Sequence, residues 1–291
     1  MADQSDGQVI KDFLADYEGS GYLAYASLTE RARSILREEL SSVGIKHELF
    51  DRGCLEGLEG GKAKIPTSAR RSILRRQEDR KIPYQSRKEI EDDMHDLAGI
   101  RVALYYPGDY AKAAQLIEKR FEPAKDICDW PDPNPGRPPY SYPDRDPSAQ
   151  AKKPRRCKKF PGYIARHYRV RLKATDISSD VALKGKVIEI QLMSLLMHTW
   201  AKINHELMYK PRGGCPEIDV DGEALVDVLN GLIVASEQLL RHIQINRRTT
   251  TRKSRRVVFR SKYCHEGIQY SPRYQCGLDT PEKQAPRAGS S

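Results

Sequence analysis

From their second residue on, two short segments, 166–173 and 187–192, alternate apolar and polar side chains residue by residue. The polar positions of the first segment are basic, whereas those of the second are Glu189 and Gln191. Because successive side chains of a strand point to opposite sides, each segment predicts a β-strand with one buried face and one polar face. The chain is therefore expected to fold around a sheet that carries a carboxylate beside basic side chains.

Helical spacing of apolar residues surrounds these two strands. It predicts helices within 9–45, at 90–97, at 111–121 and over 221–245, and a further strand is predicted at 100–104. The helix after the second strand is expected to bury an apolar stripe and expose a polar one, whose histidines are weak candidates for a functional site. The apolar stripe comprises Leu196, Trp200, Ile203 and Leu207, and the polar stripe comprises His198, Lys202, His205 and Tyr209.

A proline-rich insert interrupts this pattern. Seven prolines fall between Asp129 and Pro147, too many for a helix or a strand, so an insert of about 129–158 is expected to be a long loop or disordered. The chain then divides into three parts. These are an N-terminal helical segment, 1–44, a central domain with the insert, 45–246, and a basic tail expected to be disordered, 247–291.

Charge and hydropathy narrow the classes of partner. The 291 residues carry a net charge of +10, which favours polyanions such as nucleotide phosphates, RNA or an acidic membrane surface. No apolar run approaches the ~20 residues of a spanning helix, and the polar start is not a signal peptide, so a cytoplasmic protein is expected. The six cysteines form no C-x-x-C pair, which disfavours a disulfide framework or a cysteine-bound metal.

Two carboxylates are candidate metal ligands. Asp96 lies at the end of a predicted helix just before a strand, and Glu189 lies on the polar face of its strand. Carboxylate oxygens suit Mg²⁺, and neighbouring Lys and Arg side chains could neutralise the phosphates of a nucleotide. On residue type alone, a solvated carboxylate in a surface salt bridge is the commoner explanation of each.

Two basic segments offer possible phosphate sites. Lys159, Gly162 and Tyr163 combine a cation, a permissive backbone and an aromatic face, which suit a phosphate and a base; an ordinary basic loop is the alternative. The second segment is a basic helix start that could hold a triphosphate, or could simply be a solvated charged face. Its members are Arg70, Arg71, Ser72, Arg75 and Arg76.

Taken in order, four motifs resemble the synthetase domain of the RelA/SpoT family over about residues 45–245. They are Asp96-Leu97-Ala98-Gly99-Ile100-Arg101, Lys159-x-x-Gly162-Tyr163-x-x-x-His167, Glu189-Ile190-Gln191 and Ala201-x-x-x-His205-x-x-x-Tyr209-Lys210. Four ordered motifs are far more specific than any one of them. The resemblance implies an α+β, nucleotidyltransferase-like domain with a mixed β-sheet flanked by helices, and the short N-terminal part resembles that of a small stand-alone alarmone synthetase.

The resemblance also implies an activity: transfer of pyrophosphate from ATP to the 3′-hydroxyl of GDP or GTP, which makes (p)ppGpp with Mg²⁺ as cofactor. It implies that Asp96 and Glu189 hold the metal, that Glu189 helps to deprotonate the attacking hydroxyl, and that Tyr163 stacks on guanine. The other implied residues are Arg101, Gln191 and His205 in catalysis, Lys159, Gly162, His167 and Lys210 at the acceptor, and Lys64, Arg71, Ser72, Arg75 and Arg76 at ATP.

Two departures from the family pattern leave alternatives open. Met193 and Ser194 stand where the family has Arg-Thr, and the upstream cation of the ATP motif could be Arg52, Lys62 or Lys64. The acceptor could instead be a tRNA 3′ end or an adenine nucleotide, or the domain could bind nucleotide or RNA without turnover. RNA binding through the basic segments and assembly into an oligomer are compatible with the sequence as well.

Overall fold

The computed structural model describes residues 7–51, 63–80, 82–130, 160, 162–177, 180–209 and 220–264. The chain forms two compact units, Met1–Ile245 and Asn246–Ser291. In the second unit the backbone is helical as far as Cys264, where the sequence predicts disorder from residue 247. Arg and Lys are good helix formers, so the loss of apolar spacing does not by itself end a helix. Residues 265–291, with the rest of that prediction, lie outside the described part.

Helices and strands succeed one another as follows. The helices are α1 (Gln8–Asp16), α2 (Tyr22–Ser42), α3 (Pro66–Asp79), α4 (Arg87–Asp93), α5 (Tyr110–Arg120), α6 (Ala174–Ile177), α7 (Leu195–Tyr209) and α8 (Val220–Cys264). A π-helical turn, Tyr17–Gly21, joins α1 to α2, and 3-10 turns lie at Pro107–Asp109 and Val181–Leu183. The strands are β1 (His47–Asp51), β2 (Gly99–Leu104), β3 (Phe121–Pro123), β4 (Cys128–Trp130), β5 (Ala165–Leu172) and β6 (Ile188–Ser194).

The strands form one mixed sheet. Their order is β1-β2-β6-β5-β3, and β4 also pairs with β5. Strands β2 and β6 run parallel, whereas the other neighbours are antiparallel. The fold class implied by the resemblance, a mixed sheet flanked by helices, is confirmed, and the strands predicted at 100–104, 166–173 and 187–192 are present within two residues of their expected ends.

One face of this sheet carries the main core. The alternating residues of β2 and β6 on that face are fully buried and join one cluster with side chains of α1, α2 and α5. The predicted N-terminal helices therefore share a core with the central sheet. The buried strand residues are Ile100, Val102, Leu104, Ile188, Ile190 and Leu192.

The buried stripe of α7 differs from the prediction. Met197, His198 and Trp200 are buried, whereas Leu207 is 41% exposed. Helix α7 follows β6 without a loop, and the hydroxyl of Ser194 accepts a hydrogen bond from the Met197 N–H at 2.9 Å, as an N-cap does. The end of the strand thus sets which side of α7 faces the sheet, and this turns the buried stripe away from the predicted one.

Two further segments depart from their predicted limits. Helix α4 ends at Asp93, so Asp96 lies in the turn between α4 and β2 rather than at the end of a helix. The proline-rich insert starts later than predicted because β4 takes up 128–130, and residues 131–159 lie outside the described part. Among the described helices, none combines the length and apolarity that crossing a bilayer requires.

Candidate functional site

The polar face of the sheet brings four predicted residues onto adjacent strands. Arg101 of β2 is the register partner of Gln191 on β6, which is in turn the partner of His167 on β5. Glu189 lies two residues before Gln191 and therefore on the same face. The alternation read from the sequence is the reason, because the apolar partners of these residues occupy the opposite, buried face.

Hydrogen bonds join these side chains into one network. The Glu189 carboxylate lies 3.1 Å from His167 Nδ1, through Oε1, and accepts from Gln191 Nε2 at 3.2 Å, through Oε2. Gln191 Oε1 accepts from Arg101 Nε at 3.1 Å. The Tyr163 hydroxyl lies 3.3 Å from His167 Nε2 and 3.4 Å from Gln191 Oε1. Glu189 and Gln191 are only 6% and 3% exposed, so the network anchors a buried carboxylate.

The chemistry of the partners fixes the direction of these bonds. An ionised carboxylate only accepts, so His167 donates its Nδ1–H to Glu189. The Tyr163 hydroxyl has one proton, which it donates either to Gln191 Oε1 or to His167 Nε2 when that nitrogen carries no proton. His167 thus holds the carboxylate with one nitrogen and the tyrosine with the other. A substitution at Tyr163 is therefore expected to alter the contact between His167 and Glu189, and a substitution at Glu189 to alter the contact between His167 and Tyr163.

Asp96 lies at the same end of the sheet as Glu189. It comes three residues before β2, and Glu189 is the second residue of β6, which runs parallel to β2. The Glu189 N–H donates to the carbonyl of Ala98 at 3.0 Å. The segment that holds Lys64 runs alongside, with the Lys64 N–H donating to Leu97 at 2.8 Å and Lys64 Nζ donating to Asp96 Oδ2 at 2.6 Å.

These carboxylates suit a magnesium–nucleotide complex better than a cage made of protein alone. Among the residues that the structure describes, no group of three or more His, Cys, Asp or Glu side chains could hold a metal. Mg²⁺ bound with a nucleotide usually takes one or two carboxylates, and phosphate oxygens and water complete its shell. Asp96 and Glu189 fit that donor set, and Lys64 supplies a cation beside it.

Tyr163 is set between the network and a small apolar cluster. The cluster consists of Ala165, Met193, Met197 and Trp200, and Tyr163 packs against it. Gly162, just before the tyrosine, has φ +76°, a left-handed conformation that favours glycine. Met193, which stands in the place of the family's arginine, is 1% exposed and belongs to this cluster. The departure from the family pattern therefore adds apolar packing next to the tyrosine.

The predicted ATP residues of α3 do not lie at its N-terminus. The helix begins at Pro66, which suits the first helical position, so Arg71, Ser72, Arg75 and Arg76 all lie beyond the first turn. Arg71 and Arg75 are exposed. Arg76 instead donates to the backbone oxygen and to Oδ1 of Asp93, at 2.8 and 3.0 Å, and so ties α3 to the end of α4. The dipole argument for a triphosphate site at this helix start is wrong.

The remaining predicted residues lie on α7 or outside the described part of the chain. His205 is exposed on α7. Lys159 and Lys210, like the alternative ATP cations Arg52 and Lys62, are outside the described part. The roles of these residues stay predictions.

His198 was predicted to lie on an exposed polar stripe, but the structure buries it. It is 3% exposed and stacks on Phe50 with ring centroids 4.0 Å apart and planes 6° apart. Neither ring nitrogen has a hydrogen-bond partner among the described residues. Burial, followed by the charges of Arg101 and Lys202, lowers the pKa of His198 from 6.5 to about 4.

This burial predicts a dependence of stability on pH. The folded protein keeps His198 neutral down to about pH 4, whereas the unfolded chain binds the proton below pH 6.5, so stability is lost as the pH falls through that window. His198→Phe keeps an aromatic ring against Phe50 and removes the group that binds the proton. As the pH is lowered from 7 to 4.5, we expect the free energy of unfolding of the variant to rise by about 1–2 kcal/mol relative to that of wild type. Denaturant unfolding at both pH values, with exposed His242→Phe as control, tests this, and parallel pH profiles for wild type and His198→Phe would contradict it.

One residue that contacts the candidate site was not identified from the sequence. Asn230 of α8 is 1% exposed and hydrogen-bonds the backbone of Gly162. The apolar spacing that predicts α8 gives no sign of this role, because an asparagine at such a position is ordinarily read as a surface residue. A buried side-chain amide is recognisable only once the packing is known.

Comparison with known proteins identifies a family and a fold. The model of the family described as "Region found in RelA / SpoT proteins" matches residues 69–214, half of the chain. The fold is similar to the small alarmone synthetase 1 from Bacillus subtilis, with a TM-score of 0.53, 19% identity, and coverage of 80% of this chain and 99% of that one. It is also similar to a GTP pyrophosphokinase family protein from Streptococcus pneumoniae, with a TM-score of 0.51, 18% identity, and coverage of 82% and 95%. No curated protein matches the sequence.

Proposed function

Because the chain belongs to the RelA/SpoT family, we propose that it is a nucleotide pyrophosphokinase that transfers pyrophosphate from ATP to the 3′-hydroxyl of GDP or GTP. The observation that carries the proposal is the hydrogen-bonded network of Arg101, Gln191, Glu189, His167 and Tyr163 on the polar face of the sheet. Two proteins of similar fold, a small alarmone synthetase and a GTP pyrophosphokinase family protein, lend it support.

Tyr163 is the proposed contact for the acceptor base. An aromatic ring can stack on any nucleobase, and each such contact contributes about 1–3 kcal/mol. The ring is supported by the cluster around Met193, and its hydroxyl is held by His167 and Gln191. A base stacked here would bring its ribose to the side of the sheet that carries Glu189.

Glu189 is the proposed acceptor of the proton. The 3′-oxygen of the acceptor attacks the β-phosphorus of ATP, the bond between the α,β-bridging oxygen and that phosphorus breaks, and AMP leaves with the bridging oxygen. The proton of the 3′-hydroxyl passes to a carboxylate oxygen of Glu189. His167 and Gln191 hold that carboxylate in place, which is the positioning that phosphoryl-type transfer depends on.

Charge neutralisation is the second requirement. Asp96 and Glu189 are the proposed ligands of Mg²⁺, which when bound would neutralise negative charge on the phosphates of ATP. Lys64, which pairs with Asp96, would supply a cation beside those phosphates. Arg101 adds a further cation through its contact with Gln191.

Incubation with ATP, Mg²⁺ and one acceptor at a time tests the proposal. With GDP or GTP as acceptor, we expect AMP and the modified guanine nucleotide to accumulate in equal amounts. AMP formation only with an adenine nucleotide or tRNA would show that the transfer is right and the acceptor wrong. Nucleotide binding without AMP from any acceptor would identify a domain without turnover and contradict the proposal.

A further inference from the structure

We propose that Asn230 of α8 is a positioning residue that sets the orientation of Tyr163 and thereby the affinity for the acceptor. The inference rests on the proposed stacking of the acceptor base on Tyr163. The amide of Asn230 makes both of its bonds to one residue: Oδ1 accepts from the Gly162 N–H at 2.9 Å, and Nδ2 donates to the Gly162 carbonyl at 3.0 Å. Paired bonds to the N–H and the carbonyl of one residue hold its backbone as the facing residue of an antiparallel strand does.

The contact is buried and replaces water. Asn230 is 1% exposed, and Gly162 is buried as well. Buried backbone groups need partners, and this side chain supplies partners to both polar groups of Gly162. Gly162 has φ +76°, a backbone conformation that a residue with a side chain would adopt only with strain. Tyr163 is the next residue, so the direction of its ring follows from the geometry that Asn230 imposes.

A second contact from α8 reaches Phe160, two residues before Gly162. Asp227 Oδ1 accepts from the Phe160 N–H at 3.4 Å. The ring of Phe160 lies so close to Gly231 that a Cβ there would come within 2.4 Å of it. Asn230 and Gly231 lie three and four residues after Asp227, so all three share one face of α8. That face contacts both Phe160 and Gly162.

The same helix also contacts the apolar cluster beside the tyrosine. Val226 and Ile233 pack against the cluster that contains Met193 and contacts Tyr163. They lie one helical turn before and after Asn230. Helix α8 carries none of the four family motifs, yet it holds both the backbone before the tyrosine and the apolar cluster next to its ring.

Asn230→Ala tests the role directly. We expect the KM for GDP or GTP to rise about tenfold while the KM for ATP changes little. The thermal unfolding midpoint is expected to fall, because two buried backbone groups of Gly162 lose their partners. Gln238→Ala, which removes an exposed amide from the same helix, is the matched control and is expected to leave both KM values unchanged. Gly231→Ala is a second variant: its methyl group displaces Phe160 but favours the helix, so it is expected to weaken acceptor binding without loss of stability.

A double-mutant cycle shows whether Asn230 acts through the tyrosine. In a Tyr163→Ala background, Asn230→Ala is expected to have no further effect on the acceptor KM, since the ring it positions is absent. Equal effects in both backgrounds, or an unchanged acceptor KM in the single variant, would overturn the inference.

Hydrogen exchange separates this inference from the proposed function. Asn230→Ala is expected to speed exchange of the Gly162 amide, because that N–H loses its acceptor. Unchanged exchange overturns the positioning role whether or not the protein is an enzyme. Absence of AMP from the wild-type protein, together with faster exchange in the variant, would overturn the proposed function and support the role of Asn230 in holding the backbone of Gly162.

Discussion

Glu189→Gln is expected to lower kcat by about 10³-fold or more while the protein stays folded. Glutamine has the same shape as glutamate and can keep one hydrogen bond with His167 or Gln191, but it cannot take the proton of the acceptor or offer a full charge to Mg²⁺. The rate of AMP formation at saturating ATP, acceptor and Mg²⁺ measures the effect. Thermal unfolding of the same preparation shows whether the fold is intact.

A matched variant guards against a general effect of charge. Glu48 lies on β1, is exposed and hydrogen-bonds Tyr105, so Glu48→Gln removes one carboxylate from the same sheet outside the network. It is expected to leave kcat unchanged. Asp96→Asn should lower kcat to a similar extent, and its residual activity should need more Mg²⁺. Retained activity in both Asp96→Asn and Glu189→Gln would mean that the two carboxylates do not hold the metal.

Tyr163→Ala is expected to raise the KM for the guanine nucleotide by about tenfold to a hundredfold, which is the range that loss of one stacked base predicts. The KM for ATP should change little, because the proposed ATP cation, Lys64, lies with Asp96 and not with the tyrosine. Initial rates with each substrate varied in turn separate the two effects. An unchanged acceptor KM would remove the stacking role of Tyr163.

Tyr163→Phe isolates the hydroxyl from the ring. The variant keeps the stacking surface but loses the contacts with His167 and Gln191. We expect the acceptor KM to stay close to that of wild type and kcat to fall, since His167 loses one of the two partners that orient it against Glu189. Tyr105→Phe, which removes the hydroxyl of an exposed tyrosine outside the network, is the matched control and is expected to leave kcat unchanged.

The central sheet was predictable because its signal is local. Alternation along 166–173 and 187–192 fixes which side chains share the polar face, whatever the order of the strands. The pairing of Arg101 with Gln191 was not readable from periodicity, since it depends on two segments about 90 residues apart running parallel. The order of the family motifs, and not the alternation, predicted that these residues would meet.

The errors in the prediction arise where tertiary contacts decide. His198 was expected to be exposed, yet Ser194 caps α7 directly after β6 and so turns this histidine against Phe50. The basic helix start predicted at Arg70–Arg76 was wrong as well, because α3 begins at Pro66 and Arg76 donates to Asp93 at the end of α4. In each case a neighbouring segment decides where the side chain lies, and the periodicity of one helix does not show this. Asn230 shows the same limit, because its amide gains meaning only when Gly162 lies beside it.

The fate of a doubly labelled ATP tests the proposed reaction most directly. With ATP labelled at both the β- and γ-phosphorus, Mg²⁺ and GDP, we expect both labels to appear together on the 3′-oxygen of the guanine nucleotide and unlabelled AMP to form in equal amount. Formation of ADP, with the γ-label alone transferred, or release of both labels as free pyrophosphate, would contradict pyrophosphate transfer.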